Sequence, residues 1–235
     1  MKLVEDLLHS VADRDFPVRR VCIGLHWTAV ESRFVGLAHT YKTSRKVEVA
    51  DSGDLAGRSA LALAARLRSW EPLEASLGLA ALNSLIEPTG VPGNVFEEIL
   101  RIAPGRTVTV IGRFPFNEQV AAVAGEAYFL EMEPERGELP PAAAEEVIPR
   151  SDVSVISATA LINKTLPRLL ELARGRTAIV LGPSTPLNGV LFEHGAAMLA
   201  GTRVTDADGL VRSIMQGAKS FNRLAGIEPL VCKPR

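Results

Sequence analysis

The chain has 235 residues, enough for one large domain or two small ones around a sizeable core. Apolar residues make up 47% and charged residues 23%, the balance of an ordinary globular protein. A formal charge of −1 without a dense run of Lys or Arg disfavours nucleic acid as a partner, and no apolar stretch reaches the ~18 residues of a membrane span.

Acidic residues stand at Glu5 and Asp6, where a signal peptide would carry its apolar core. Cys22 and Cys232 lie far apart and form no CxxC pair, so the expectation is reduced thiols in a cytoplasmic protein. Leu3, Val4, Leu7, Leu8 and Val11 have the spacing of a short amphipathic helix. From Val18 to Thr40 the chain turns to Val, Ile, Thr and aromatics, which predicts a small antiparallel meander with a turn at Glu31-Ser32. Asp51 to Asp54 offer caps for a helix containing Leu55, Leu61, Leu63 and Leu67. A second helix is expected from Pro72 through Leu77, Leu79, Leu82 and Leu85.

Glu87 to Gly93 holds two prolines and two glycines, reads as a connection without regular structure, and divides the chain into domains at 1–88 and 89–235. Asn94 with Glu97 has the spacing of a capping box. Beyond Thr107 strands and helices alternate. The predicted strands are Thr107 to Ile111, Ala127 to Leu130, Val153 to Ser157, Ala178 to Leu181 and Arg203 to Thr205. Predicted helices lie at Asn117 to Ala124, Pro141 to Val147, Thr165 to Ala173, Val190 to Leu199 and near Leu210 to Gly217. That rhythm implies right-handed crossovers and a parallel, Rossmann-like sheet, so the fold class is α/β with a small α+β domain in front.

Ligands of open parallel sheets bind beyond the carboxyl ends of the strands, and candidate site residues follow from that rule. Gly182-Pro183-Ser184-Thr185-Pro186 breaks the apolar run of the fourth strand and offers hydroxyls and amide donors; Ser184 or Thr185 could equally cap the next helix. Gly112-Arg113 follows the first strand, with one glycine where a dinucleotide fingerprint has three. Arg113 is suited to an anionic group or to solvent. Glu131 ends the second strand and is suited to ribose hydroxyls, a metal or the solvated rim. After the third strand come Thr159, Asn163 and Lys164, with Thr165 as helix cap. The four histidines are scattered, with no HxxH or HExxH. Cys22 and His26 have the spacing of one strand face, and His39 ends the meander, within reach of a cleft between the domains. Ser184, His194 and Asp206 lack the GxSxG elbow that would make them a triad.

Several of these segments together resemble a family of bacterial and archaeal proteins named for heavy-metal chelation. They are Asp152 to Ser157 with Thr159 and Asn163 to Thr165, Gly182 to Leu187, and Leu199-Ala200-Gly201. Val35 to Ala38 and Leu79 to Asn83 match the companion domain of that family. The resemblance implies an enolase-N-terminal-like first domain, a Rossmann-like second domain and a site where they meet. A soft-metal site built from protein donors calls for thiolates or clustered imidazoles, and few are present. The expectation is therefore a small anionic ligand or metal complex in the interdomain cleft, with a metal ion as the cofactor the sequence allows. An enzyme acting on a small anionic metabolite, with a nucleotide-type cofactor on Glu131 and His39, Lys164 or Glu131 as acid or base, is the alternative. A scaffold that binds nothing is a third reading. A homodimer is compatible with the apolar composition.

Overall fold

The computed structural model describes residues 2–41 and 47–234. Helix α1 (Lys2–His9) buries Leu3, Val4, Leu7 and Leu8, the face read from their spacing. Strands β1 (Arg20–Ile23), β2 (Trp27–Glu31) and β3 (Val35–His39) form an antiparallel sheet in that order. The chain turns between β1 and β2 at Gly24, so Cys22 and His26 do not share a strand. Helix α2 (Ala60–Ala64) begins later than expected. Ser59 caps it by accepting the Ala62 N–H at 3.0 Å, while the acidic run from Asp51 to Asp54 stays in turns. A 3-10 turn over Ala65–Arg68 leads toward α3 (Pro72–Leu85), which is apolar or small almost all round.

That all-round burial has a direct cause. Helix α3 lies on β3 so closely that a Cβ at Gly36 would stand 2.0 Å from the Ala80 carbonyl oxygen. Val30 and Ala38 share a core with this helix, while Ala29 and Leu37, one residue away, pack with Leu210, Ile214 and Leu224. Leu210 and Ile214 belong to α9 (Ala207–Met215), near the end of the chain. Period-2 alternation thus puts α3 on one face of the small sheet and α9 on the other.

The remaining strands make a seven-stranded sheet. Strands β4 (Val91–Pro92), β5 (Thr107–Ile111), β6 (Glu126–Leu130), β7 (Val153–Ser157), β8 (Thr177–Leu181), β9 (Met198–Val204) and β10 (Ile227–Cys232) lie in the order β4-β10-β9-β8-β7-β5-β6. Five of them, β6 to β9 around β5, are parallel, and β10 and β4 close one edge antiparallel. Helices α4 (Val95–Ile102), α5 (Asn117–Val123), α6 (Ala144–Val147), α7 (Leu166–Leu172) and α8 (Val190–Glu193) fall between them. Asn94 caps α4 by accepting the Phe96 N–H.

Three further expectations need correction. The Glu87 to Gly93 connection contains β4, because the outer edge of β10 takes Val91 and Pro92 as partners, an edge position that tolerates proline. The helix expected from Val190 to Leu199 stops at Glu193, and Met198 to Ala200 pair with Ile179 to Leu181 as a buried strand. A continuous apolar run fits either element by periodicity, and the open edge of β8 decides it. Thr165 does not cap α7 with its side chain: Asn163 Oδ1 takes both the Thr165 N–H, at 3.2 Å, and its hydroxyl, at 2.7 Å.

Candidate functional site

In sequence order the parallel strands run 2-1-3-4-5, so the winding reverses between β5 and β7. A cavity of about 1160 Å³ opens there, beyond the carboxyl ends of β5, β6, β7 and β8. Its other wall comes from the opposite ends of the chain: His26, Trp27, His39 and Tyr41 from the small sheet, and residues from Ser213 to Arg223 at and after the end of α9.

Of the residues expected at the site, Gly112, Arg113, Glu131, Thr159, Asn163, Gly182, Pro183 and Ser184 line this cavity. Their side chains are largely engaged. The Arg113 guanidinium binds Glu138 Oε2 at 2.6 Å and Glu135 at 3.0 Å, and the Glu138 bond raises its already high pKa further. Glu138 is correspondingly held below the usual carboxylate range, first by Arg113. Arg113 thus secures the loop after β6 as a wall and is neutralised in doing so. Glu131 accepts the N–H of its neighbour Met132. The hydroxyls of Thr159 and Ser157 bond each other at 2.8 Å, at the winding reversal itself. Gly182 has φ 116°, a left-handed value, and the space where its Cβ would stand is open for 4 Å.

Ser184 does the work of a joint. Its buried Oγ accepts the backbone N–H of His39 at 2.9 Å, and its carbonyl accepts from Asn83 Nδ2, which also bonds the Leu37 carbonyl. Thr185, Lys164 and Pro186 lie away from the cavity. Thr185 faces a separate hollow of about 20 Å³ beside Asn83. Lys164 sits at φ 67° and donates from Nζ to the Leu67 carbonyl at 2.5 Å; burial lowers its pKa to about 8. It clasps the two halves of the chain together and is not part of the cavity lining.

What sequence reasoning did not find is the wall opposite the sheet. Trp27 is buried except at its cavity edge and donates from Nε1 to the Lys219 carbonyl at 3.0 Å, so it fixes the segment after α9. The His39 ring stands edge-on to Trp27 and Tyr41, with centroids at 5.6 and 6.4 Å. The signal available beforehand was slight: His39 at the meander end, and Lys219, Phe221 and Arg223 in a segment with no recognisable motif.

The sequence profile of family DUF364, described as "Putative heavy-metal chelation", matches residues 94–225. The chain belongs to this family. A companion profile, DUF4213, with the same description, matches residues 4–86. A crystal structure of a DUF364 protein of unknown function from Desulfitobacterium hafniense is 28% identical. It has a TM-score of 0.88, with 99% of this chain and 98% of that one covered. Another, from Pyrococcus horikoshii, is 20% identical with a TM-score of 0.81 and the same coverage, a likeness of fold. No curated protein matches the chain.

The DUF364 description raises a metal, and the donor set can be tested against it. Among the described residues no three His, Cys, Asp or Glu side chains converge to hold an ion. The residues outside that description, 1, 42–46 and 235, carry none of these side chains. Burial raises the pKa of both Cys22 and Cys232, which keeps them as thiols, and the Cys232 Sγ donates to the Thr89 carbonyl. Soft metals are bound by thiolates, so neither cysteine suits one as it stands. The side chains present do not fit a bare heavy-metal ion. Among the described residues no helix is long and apolar enough to cross a membrane.

Proposed function

We propose that this DUF364 protein takes up a heavy metal as the complex of a small anionic organic chelator, held in the cavity between the small sheet and the winding reversal. The observation that carries this reading is the mismatch between cavity and donors. A volume of about 1160 Å³ suits an organic molecule, while no three metal-ligating side chains converge among the described residues. The walls offer what an organic ligand uses: hydroxyls of Ser157 and Thr159, the Asn163 amide, aromatic surface and cationic side chains. A chelator supplies the metal's donors itself, so the protein needs only to recognise its periphery.

Equilibrium dialysis of the chelator-free protein tests this. Zinc or nickel alone is expected to pass without stoichiometric retention, and a preformed complex of either ion with a small carboxylate chelator is expected to be retained. Stoichiometric retention of the bare ion, undiminished after the cysteines are blocked, would overturn the reading.

A further inference from the structure

We propose that the segment from Gln216 to Arg223 is the anion-recognition wall of this cavity, and that it takes a carboxylate-bearing planar ring. This rests on the cavity being the ligand site and names the chemistry of its occupant.

Positive charge on the cavity lining is concentrated in one segment. Arg113 lines the cavity but is neutralised by Glu135 and Glu138, and Lys164 lies outside it on the Leu67 carbonyl. Among the described residues, Lys219 and Arg223 are the other Lys and Arg side chains on the lining, and neither forms a salt bridge there. Both belong to one segment, whose position is set from outside: the buried indole of Trp27 holds the Lys219 carbonyl. Among the described residues Glu131 is the one carboxylate on the lining, and it directly follows β6, on the sheet side. The cavity is therefore basic at the α9 side, where charge-assisted hydrogen bonds to an anion replace solvent.

Ring recognition follows from where the aromatics are. Phe, Trp and Tyr make up 5% of the chain, yet Trp27, Tyr41, Phe114 and Phe221 all line this one cavity. Phe221 lies between the two cations in sequence and is 37% exposed, an apolar surface waiting for a partner. A dinucleotide pyrophosphate would call for a glycine-rich run of amides after the first strand, and the turn after β5 has Gly112 alone. Carboxylate is also the anion that chelates metals, so one group serves both the protein and the ion.

Trp27 provides the readout. The chain has two tryptophans, and Trp70 is 75% exposed and away from the cavity, so Trp70→Phe leaves Trp27 as the sole indole. In that background pyridine-2,6-dicarboxylate is titrated with and without zinc, beside the neutral pyridine-2,6-dicarboxamide. The dicarboxylate is expected to change Trp27 emission. Lys219→Ala and Arg223→Ala, both at exposed side chains, are each expected to weaken it about 10- to 100-fold, and the dicarboxamide to bind weaker by at least as much. Absence of dicarboxylate binding to the parent overturns the inference. So does a double variant of unchanged affinity, or equal binding of the dicarboxamide. Failure of the two readings is distinguishable. Cation-dependent binding of the free dicarboxylate that zinc does not strengthen keeps this inference and removes the metal complex from the function. Retention of a metal complex by the double variant does the reverse.

Discussion

Ser184 is where the two parts of the chain are fastened, and its hydroxyl is spent on that task. Replacing it with alanine leaves the His39 N–H without its acceptor in a buried place, which costs about 1–3 kcal/mol. Ser184→Ala is therefore expected to lower the urea midpoint of unfolding and to shift His39 against Trp27, read as a change in the intrinsic fluorescence of the folded protein. An unchanged midpoint would mean that the joint is held elsewhere. Lys164 makes a second clasp with a pH signature. Burial holds its folded pKa at about 8 against 10.5 for the free side chain, so the unfolded chain binds the extra proton between those values. Stability contributed by this group accordingly rises with pH across that window and is lowest below it. Lys164→Met removes the slope. The wild-type stability minus that of the variant is expected to climb from about pH 8 to about pH 10 in denaturant titrations, and a flat difference would contradict the assignment. The two half-buried thiols titrate in the opposite sense in both proteins and cancel.

At the scale of elements, contact between α3 and β3 shapes the amino-terminal half. A side chain at Gly36 would meet the backbone at Ala80 and Ser84 at 2.0 and 2.3 Å, obstacles that cannot rotate away. Gly36→Ala is expected to cost about 3 kcal/mol, the upper part of the overpacking range, measured by denaturant unfolding. A cost near zero would mean that the helix can lift from the sheet. Much of this layer was legible beforehand. Ala178 to Leu181 read as a buried strand because helices on both faces leave no polar alternation, and Val153 to Ser157 read as a strand from the strand–helix rhythm. β10 escaped notice: Ile227-Glu228-Pro229-Leu230 mixes apolar, charged and proline residues, a pattern that makes sense only once β9 has an edge to fill. The candidate site divides in the same way. Gly112, Thr159 and Gly182 follow from the rule that ligands sit beyond strand ends, since position along a strand can be read locally. The wall of Trp27, Tyr41, Lys219 and Arg223 depends on α9 returning to cover β1 and β2, a long-range packing that no local pattern announces.

Seen whole, the molecule is two sheets joined through the largest of three hydrophobic clusters. The largest cluster of buried residues runs from Leu3 and Leu7 of α1 through Leu82 of α3 to Leu191 and Leu230 in the carboxyl-terminal part. Hydrogen bonds from Asn188 to Ser10 and between His194 and Asp6 add to that seam. Such a seam holds both walls of the cavity in register, and pre-organised walls recognise a ligand at less entropic cost. The overlay with the Desulfitobacterium hafniense structure covers 99% of the chain, so the two proteins share the fold that brings these sheets together. What the cavity holds decides the function. Native mass spectrometry of the protein purified from its own source without added chelators, with elemental analysis of the same sample, shows it most directly. The expected result is a mass increment for one organic molecule together with one metal, both released when the chain is unfolded. A protein carrying a metal with no organic molecule would contradict it, as would one that carries neither and stays bare after incubation with metal–carboxylate complexes.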